Sequence, residues 1–223
     1  MRPTNASQWP ADGLLRLMRW TPRCTVLGPG TRAVVWVQGC PFRCQGCVVP
    51  ESLPFAGATE MSPEALAHEL LALDDIEGLT FSGGEPFAQA LLLAQFIDVL
   101  RADRPEWSFL SYSGFTIEHL ATRGTPGQHS LLQRLDVLID GPYVQSRHTD
   151  LIWRGSDNQR VLFLTSRYRD WASKLGQRGT QLEFEIGPDG FAWMGIPPLG
   201  FRDALRKSLV PLGFSLGESR SEL

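Results

Sequence analysis

The chain opens without a regular hydrophobic pattern. Residues 1–30 mix prolines, arginines and scattered apolar side chains, and read as a loose lead-in ending in the turn Leu27-Gly28-Pro29-Gly30. The first clear signal is Ala33-Val34-Val35-Trp36-Val37-Gln38, a continuous β-branched and aromatic run. Such a run, with no polar alternation, predicts a strand buried on both faces, as in a parallel sheet. Ser62-Pro63-Glu64 predicts a helix start: Ser62 as N-cap, Pro63 in the first turn, and Leu66, Leu70 and Leu73 on one face.

Strands and helices then alternate. Residues 78–81 predict a short strand running into Ser82-Gly83-Gly84-Glu85-Pro86, and 88–101 a helix carrying Leu92, Leu93, Phe96, Ile97 and Leu100. Residues 107–112 predict a strand and Thr116 opens another helix. A strand over 136–140 closes at Gly141-Pro142, and 160–164 predict one more. This order predicts an α/β fold with right-handed crossovers and a parallel sheet, open or curled into a partial barrel. Beyond about residue 178 the texture changes. Leu182-Glu183-Phe184-Glu185-Ile186 alternates, Pro188-Asp189-Gly190 is a turn, and Phe191-Ala192-Trp193-Met194 returns, which predicts a β-hairpin. Gly195-Ile196-Pro197-Pro198 ends it, and a last helix is expected over 201–210. The expected organisation is a core over 1–178, lead-in included, and a hairpin-plus-helix extension over 179–223.

Composition narrows the function classes. A chain of 223 residues, 43% hydrophobic and 20% charged, suits one folded core with an appendage and excludes a disordered chain. A net charge of −3 lacks the basic excess that phosphate backbones select, so no nucleic-acid partner is expected. No apolar run approaches the ~20 residues that cross a bilayer, and no secretory pattern opens the chain. No membrane partner is therefore expected, and the location is expected to be cytoplasmic, where thiols stay reduced. The four cysteines then read as ligands or buried thiols rather than a disulfide framework.

Their spacing carries the candidate chemistry. Gly39-Cys40-Pro41-Phe42-Arg43-Cys44-Gln45-Gly46-Cys47 is a C-x3-C-x2-C loop at the end of a predicted buried strand. Three thiolates on one loop can hold three corners of an iron–sulfur cubane and leave the fourth iron open. Two other readings stand beside it: a four-thiolate zinc site that recruits Cys24, making a non-catalytic binding module, and simple buried thiols. His68, His119, His129 and His148 are scattered without ligand spacing. With one cysteine left over, there is room for one cluster and no second.

On these residues the chain resembles the radical S-adenosylmethionine (SAM) enzymes, and within them the small activating enzymes of glycyl-radical proteins. The closest likeness is to the activases of anaerobic ribonucleotide reductase. The likeness is carried by Gly28-Pro29-Gly30-Thr31-Arg32, by Val35-Trp36-Val37-Gln38-Gly39 leading into Cys40, Cys44 and Cys47, and by Phe81-Ser82-Gly83-Gly84-Glu85-Pro86. Ser111-Tyr112-Ser113-Gly114-Phe115, Asp140-Gly141-Pro142-Tyr143 and residues 154–160 extend it in the same order. The resemblance implies a partial (β/α)6-type parallel barrel and one [4Fe–4S] cluster on Cys40, Cys44 and Cys47. It implies SAM contacts at Gly46, Cys47 and Val48 for the adenine, and at Ser82, Gly83, Gly84 and Glu85 for the amino group, with Ser113 at the strand tip beside them. It implies reductive cleavage of SAM to methionine and a 5′-deoxyadenosyl radical, with an external one-electron donor such as a flavodoxin or ferredoxin. The implied hydrogen donor is a glycine of a partner enzyme such as anaerobic ribonucleotide reductase. A small molecule or a ribosomal peptide is the alternative. The chain departs from the family's pattern at Leu27, where an acidic residue often precedes Gly-Pro-Gly, and in its C-terminal extension. Cys24 is expected to be dispensable.

Overall fold

The computed structural model describes residues 12–179, 181–187 and 190–212. In chain order its elements are β1 (Leu15–Cys24), β2 (Arg32–Val37), β3 (Thr59–Met61), α1 (Pro63–Leu71), β4 (Gly78–Gly83), α2 (Ala90–Asp103) and β5 (Ser108–Ser113). There follow α3 (Ile117–Arg123), α4 (Pro126–Leu132), β6 (Val137–Asp140), β7 (Arg160–Phe163), β8 (Leu182–Gly187), β9 (Gly190–Gly195) and α5 (Phe201–Leu209). One seven-stranded sheet runs β3-β1-β2-β4-β5-β6-β7, and β8 pairs with β9 in a separate hairpin. β2, β4, β5 and β6 are parallel, which gives a mixed α/β architecture with a parallel-rich centre.

The apolar runs became strands for the expected reason: every residue of β2 is buried, because both faces of the sheet are covered. On one face Val35, Phe81 and Phe109 pack against Leu66 and Leu70 of α1 and Leu93, Phe96 and Ile97 of α2. Ser62 caps α1, its hydroxyl accepting from the Ala65 amide, and Thr116 caps α3 in the same way. On the other face Val34 and Trp36 pack with Cys24, Leu27 and Met194, while Leu110, Val137 and Ile139 pack with Trp153 and Tyr168. Met194 belongs to β9, so the C-terminal hairpin covers part of this second face.

Several expectations need correction. The lead-in is not loose over residues 15–24: it forms β1, antiparallel to β2 and to β3. The arginines at 16, 19 and 23 interrupt its apolar alternation, and long-range pairing with β2 compensates for that weak local signal. The strand over 160–163 pairs antiparallel to β6 rather than extending the parallel set. The short strand β3 and the helix α4 gave no expectation, although Thr125 and Gln128 form a capping box at the start of α4. The predicted turn at Pro188-Asp189 lies outside the described residues, as do 1–11, 180 and 213–223.

At the N-terminal end of the parallel strands Arg32 is almost fully buried. Its guanidinium donates to Thr80 Oγ1 (2.9 Å), Ser108 Oγ (2.9 Å) and the carbonyls of Pro29 (3.2 Å), Leu79 (2.6 Å) and Ser108 (2.9 Å). A buried cation that finds no carboxylate is stable only when its donors are satisfied this fully. Burial pushes its pKa down.

Candidate functional site

At the opposite, C-terminal end of the same strands the chain leaves β2 and enters an irregular loop from Gln38 to Val49. The loop is pinned from both sides. Gln38 Nε2 donates to the carbonyls of Glu51 (3.0 Å) and Pro54 (2.8 Å), and the amides of Gly39 and Cys40 donate to Ser52 (2.8 Å) and Leu53 (3.1 Å). From β4, the Gly84 amide donates to Val37 (2.8 Å) and the Glu85 amide to Gly39 (2.9 Å). A Cβ on Gly83 would come within 2.6 Å of the Val37 carbonyl oxygen, and one on Gly84 within 2.3 Å of the Gly39 oxygen. The double glycine is thus required by the close approach of two strand ends, in addition to any access it gives a ligand.

These elements surround a cavity of about 670 Å³, a size ordinary for a cofactor-plus-substrate site. It lies where ligands of parallel α/β sheets commonly sit. Cys40, Cys44, Cys47, Val48, Ser82, Gly83, Gly84, Glu85 and Ser113 all line it. Gly46 does not: its φ of +71° turns the loop between Cys44 and Cys47, and its α-carbon faces the Gln145 side chain. Cys24 does not either. It is buried in the cluster with Leu27, Val34, Trp36 and Met194, and burial pushes its thiol up to about 12. A four-thiolate zinc site built with Cys24 is at odds with that placement.

The thiols of Cys40, Cys44 and Cys47 share one electrostatic environment. Burial pushes all three upward, Cys40 to about 12; Glu85 adds to the shift at Cys40 and Cys44, and Cys44 and Glu51 add to it at Cys47. Such thiols stay protonated at neutral pH until a cation makes thiolate formation favourable. Among the described residues no three Cys, His, Asp or Glu side chains converge as the ligands of one metal ion would. The thiols instead ring the cavity, a donor set suited to a cluster in which each thiolate takes a different iron.

Glu85 is buried, and its carboxylate is already engaged. Oε1 accepts from the Phe87 amide (2.9 Å) and from Ser113 Oγ (3.0 Å), and Oε2 accepts from the Gly114 amide (2.7 Å). It therefore ties the tip of β4 to the tip of β5, and one lone pair on Oε2 remains for a ligand. Desolvation outweighs these donors and raises its pKa to about 7. Asp140 is likewise committed, accepting from Arg160 and from the Ile117 amide, while Gly141 beside it lines the cavity. Residues 154–160, read as a solvated loop or docking segment, fold back on this corner: Gln159 donates to the Gly141 carbonyl at 3.1 Å.

Sequence reading missed the opposite wall. Arg19 stacks on Trp36 with its guanidinium carbon 4.1 Å from the ring centroid, and donates to the Trp193 carbonyl at 3.4 Å. Trp193, Met194, Arg202 and Leu205 of the C-terminal extension line the cavity as well. Tyr112 completes the wall, with a buried hydroxyl that has no hydrogen-bond partner among the described residues. Arg19 sits in the segment read as lead-in, and nothing in the local pattern of 182–210 signals a wall for a distant loop. The one available signal was Tyr112, adjacent to Ser113.

A family model described as a 4Fe-4S single cluster domain matches residues 26–162. The chain is 30% identical over 158 residues to the anaerobic ribonucleoside-triphosphate reductase-activating protein of Pasteurella multocida (strain Pm70), covering 68% of this chain and 99% of that one. It is 31% identical over 150 residues to the protein of that name from Vibrio cholerae serotype O1, covering 64% and 94%. To the one from Enterobacteria phage T4 it is 32% identical over 141 residues, covering 61% and 86%. Among solved structures, QueE from Escherichia coli overlaps 52% of this chain at a TM-score of 0.38 and 14% identity, too slight a likeness to bear on the fold.

Proposed function

Because the chain belongs to the 4Fe-4S single-cluster family, in the glycyl-radical-activating branch of the radical SAM enzymes, we propose that it installs a glycyl radical on a partner anaerobic ribonucleotide reductase. The observation that carries this reading is the convergence of Cys40, Cys44 and Cys47 with Ser82–Glu85 and Ser113 on one cavity at the C-terminal ends of parallel strands. A partial barrel of the radical SAM kind, with the sheet curled around this cavity, is the finer form of the fold consistent with it. The finer division, a core over 1–178 and an extension over 179–223, is proposed with it.

When bound, a [4Fe–4S] cluster supplies one electron to the SAM sulfonium, which yields methionine and a 5′-deoxyadenosyl radical. The rest falls to this chain. Cys40, Cys44 and Cys47 give up their protons to hold the cluster, which makes its assembly easier as pH rises. Glu85 keeps Ser113 and Gly114 against the β4 tip, and its remaining lone pair accepts from the SAM amino group. Backbone at Gly46, Cys47 and Val48 flanks the adenine, with Gly46 turning that stretch. Burial of the cavity excludes water, so that the adenosyl radical meets the target C–H bond before solvent. That radical takes a hydrogen atom from the glycine Cα, giving 5′-deoxyadenosine and the glycyl radical. An external donor such as a flavodoxin or ferredoxin supplies the electron.

The test is anaerobic reconstitution with iron and sulfide, followed by SAM, a reductant and a candidate anaerobic ribonucleotide reductase from the same organism. A brown protein that cleaves SAM and produces a glycyl radical signal on the reductase by electron paramagnetic resonance is expected. SAM cleavage without that signal would remove the reductase as substrate and leave the small-molecule or peptide reading. A colourless, air-stable protein would overturn both and return the zinc reading.

A further inference from the structure

The family match ends at residue 162, yet the cavity does not. Its outer wall is built by residues 192–196 of β9 and the segment after it, and its roof by Arg202, Asp203, Leu205 and Arg206 of α5. The two parts are held differently. The hairpin is anchored to the core: Thr25 donates to Glu183 through its amide (2.9 Å) and hydroxyl (2.6 Å), and Met194 is buried against Trp36. α5 is held lightly. None of its residues is buried, and it meets the hairpin through Phe201, whose ring lies 5.4 Å from that of Trp193. It meets the cysteine loop's flank through Arg202, paired with Glu51 at 3.1 Å. Between hairpin and helix the backbone turns at Gly195 (φ +109°), Pro197-Pro198 and Gly200 (φ +77°).

We propose that α5 is the substrate-selecting cover of the cysteine cavity, closed by the Arg202–Glu51 ion pair and opened when a protein substrate presents its loop. Both partners of the pair are about two-fifths exposed, and such pairs contribute at most about 1 kcal/mol. That is a latch a docking partner can displace, favouring the closed form by at most about fivefold. A small cosubstrate passes a cover of this kind during its brief openings, whereas an inserted polypeptide loop must hold it open. The cover lies outside the segment that the family model matches, so it adds a selection step to the matched core.

The cover is tested on the apo protein by thiol alkylation, which needs neither cluster nor partner. Iodoacetamide is added under reducing, anaerobic conditions, and labelling of each cysteine is followed by mass spectrometry. Four proteins are compared: wild type, Glu51→Arg, Arg202→Glu, and the double charge swap. Each single variant is expected to label Cys44 about two- to fivefold faster, and the double swap to return toward the wild-type rate. Cys24, buried behind Trp36, stays unlabelled throughout and reports an intact fold. Cys44 is the reporter because its shift comes from burial and Glu85, whereas Cys47 also feels both latch charges: Glu51→Arg would by itself speed alkylation at Cys47 and Arg202→Glu would slow it. Single variants that label at the wild-type rate, or a swap that fails to restore it, overturn the cover. Its role in substrate choice rests on the function proposed above and is read separately. With the reductase as substrate, the yield of glycyl radical per SAM cleaved should fall at least twofold in both single variants and recover in the swap. If the wild type forms no glycyl radical, the functional reading fails while the alkylation result stands.

Discussion

The two ends of the parallel strands solve opposite problems with the same backbone. At the N-terminal end Arg32 satisfies carbonyls and hydroxyls from β4, β5 and the preceding turn, and the interior is closed. At the C-terminal end polar groups stand open around a cavity: one buried and two half-buried thiols, a buried carboxylate with a spare lone pair, and the Tyr112 hydroxyl, which has no partner among the described residues. Buried polar groups are normally satisfied, so the open end marks where a ligand is to complete the bonding. A charge that serves the fold is fully paired within the chain, whereas groups that serve chemistry are left incomplete.

The comparison predicts that damage at the open end abolishes chemistry and spares the fold. Cys40→Ala, Cys44→Ala or Cys47→Ala should each reduce SAM cleavage to background, a loss of at least 100-fold, while far-ultraviolet circular dichroism of the apo protein is unchanged. Retained cleavage in any of the three would break the assignment. The closed end should behave the other way. Arg32→Met strands buried acceptors on three elements and should destabilise the chain by about 3–5 kcal/mol in urea denaturation. A change under 1 kcal/mol would mean that the N-terminal end does not depend on Arg32.

Glu85 sharpens the contrast through pH. It keeps its proton up to about pH 7 in the folded chain, against 4.5 ordinarily. Between those values the unfolded chain has released a proton that the folded chain holds. Its stabilising contribution is therefore complete below pH 4.5 and is lost as pH rises toward 7, by about 3 kcal/mol. Urea denaturation of the apo protein across that window should show the fall, and Glu85→Gln should flatten it. A smaller effect is expected from Cys24→Ala, which should leave SAM cleavage within twofold of wild type and the cluster intact. Loss of the cluster there would revive a fourth thiolate. The smallest concerns the exposed Glu118, which Arg160 holds down to about 2. Its contribution is present above pH 4.5 and fades as pH falls toward 2. Arg160→Gln should return the Glu118 titration, followed by nuclear magnetic resonance, toward 4.5 with little change in stability.

Much of the molecule was legible before its structure. β2 and β6 are short apolar runs, as a strand covered on both faces favours, and β4 and β5 set Leu79, Phe81, Phe109 and Leu110 among small polar residues. Ser62 and Thr116 announced their helices because a cap is a local hydrogen bond. The alternation over 182–194 gave the hairpin. β1 was not legible, because Arg16, Arg19 and Arg23 break its pattern and its partner strands lie elsewhere in the chain. Nor was the sense of β7: strand direction follows from the path of the connection, which local pattern does not encode.

By itself the sequence determined the chemistry on offer: three cysteines on one loop, a glycine pair at a strand end, and a glutamate after it, all within reach of short-range rules. Only the tertiary structure decided how these are used. It placed Cys24 behind Trp36 and away from the other thiols, turned Glu85 into a clasp between two strand tips, and brought Trp193 and Arg202 across to wall the cavity. The physical reason is that spacing along the chain fixes which atoms can share one loop. Burial and contact between residues more than a hundred positions apart exist only once the sheet has assembled.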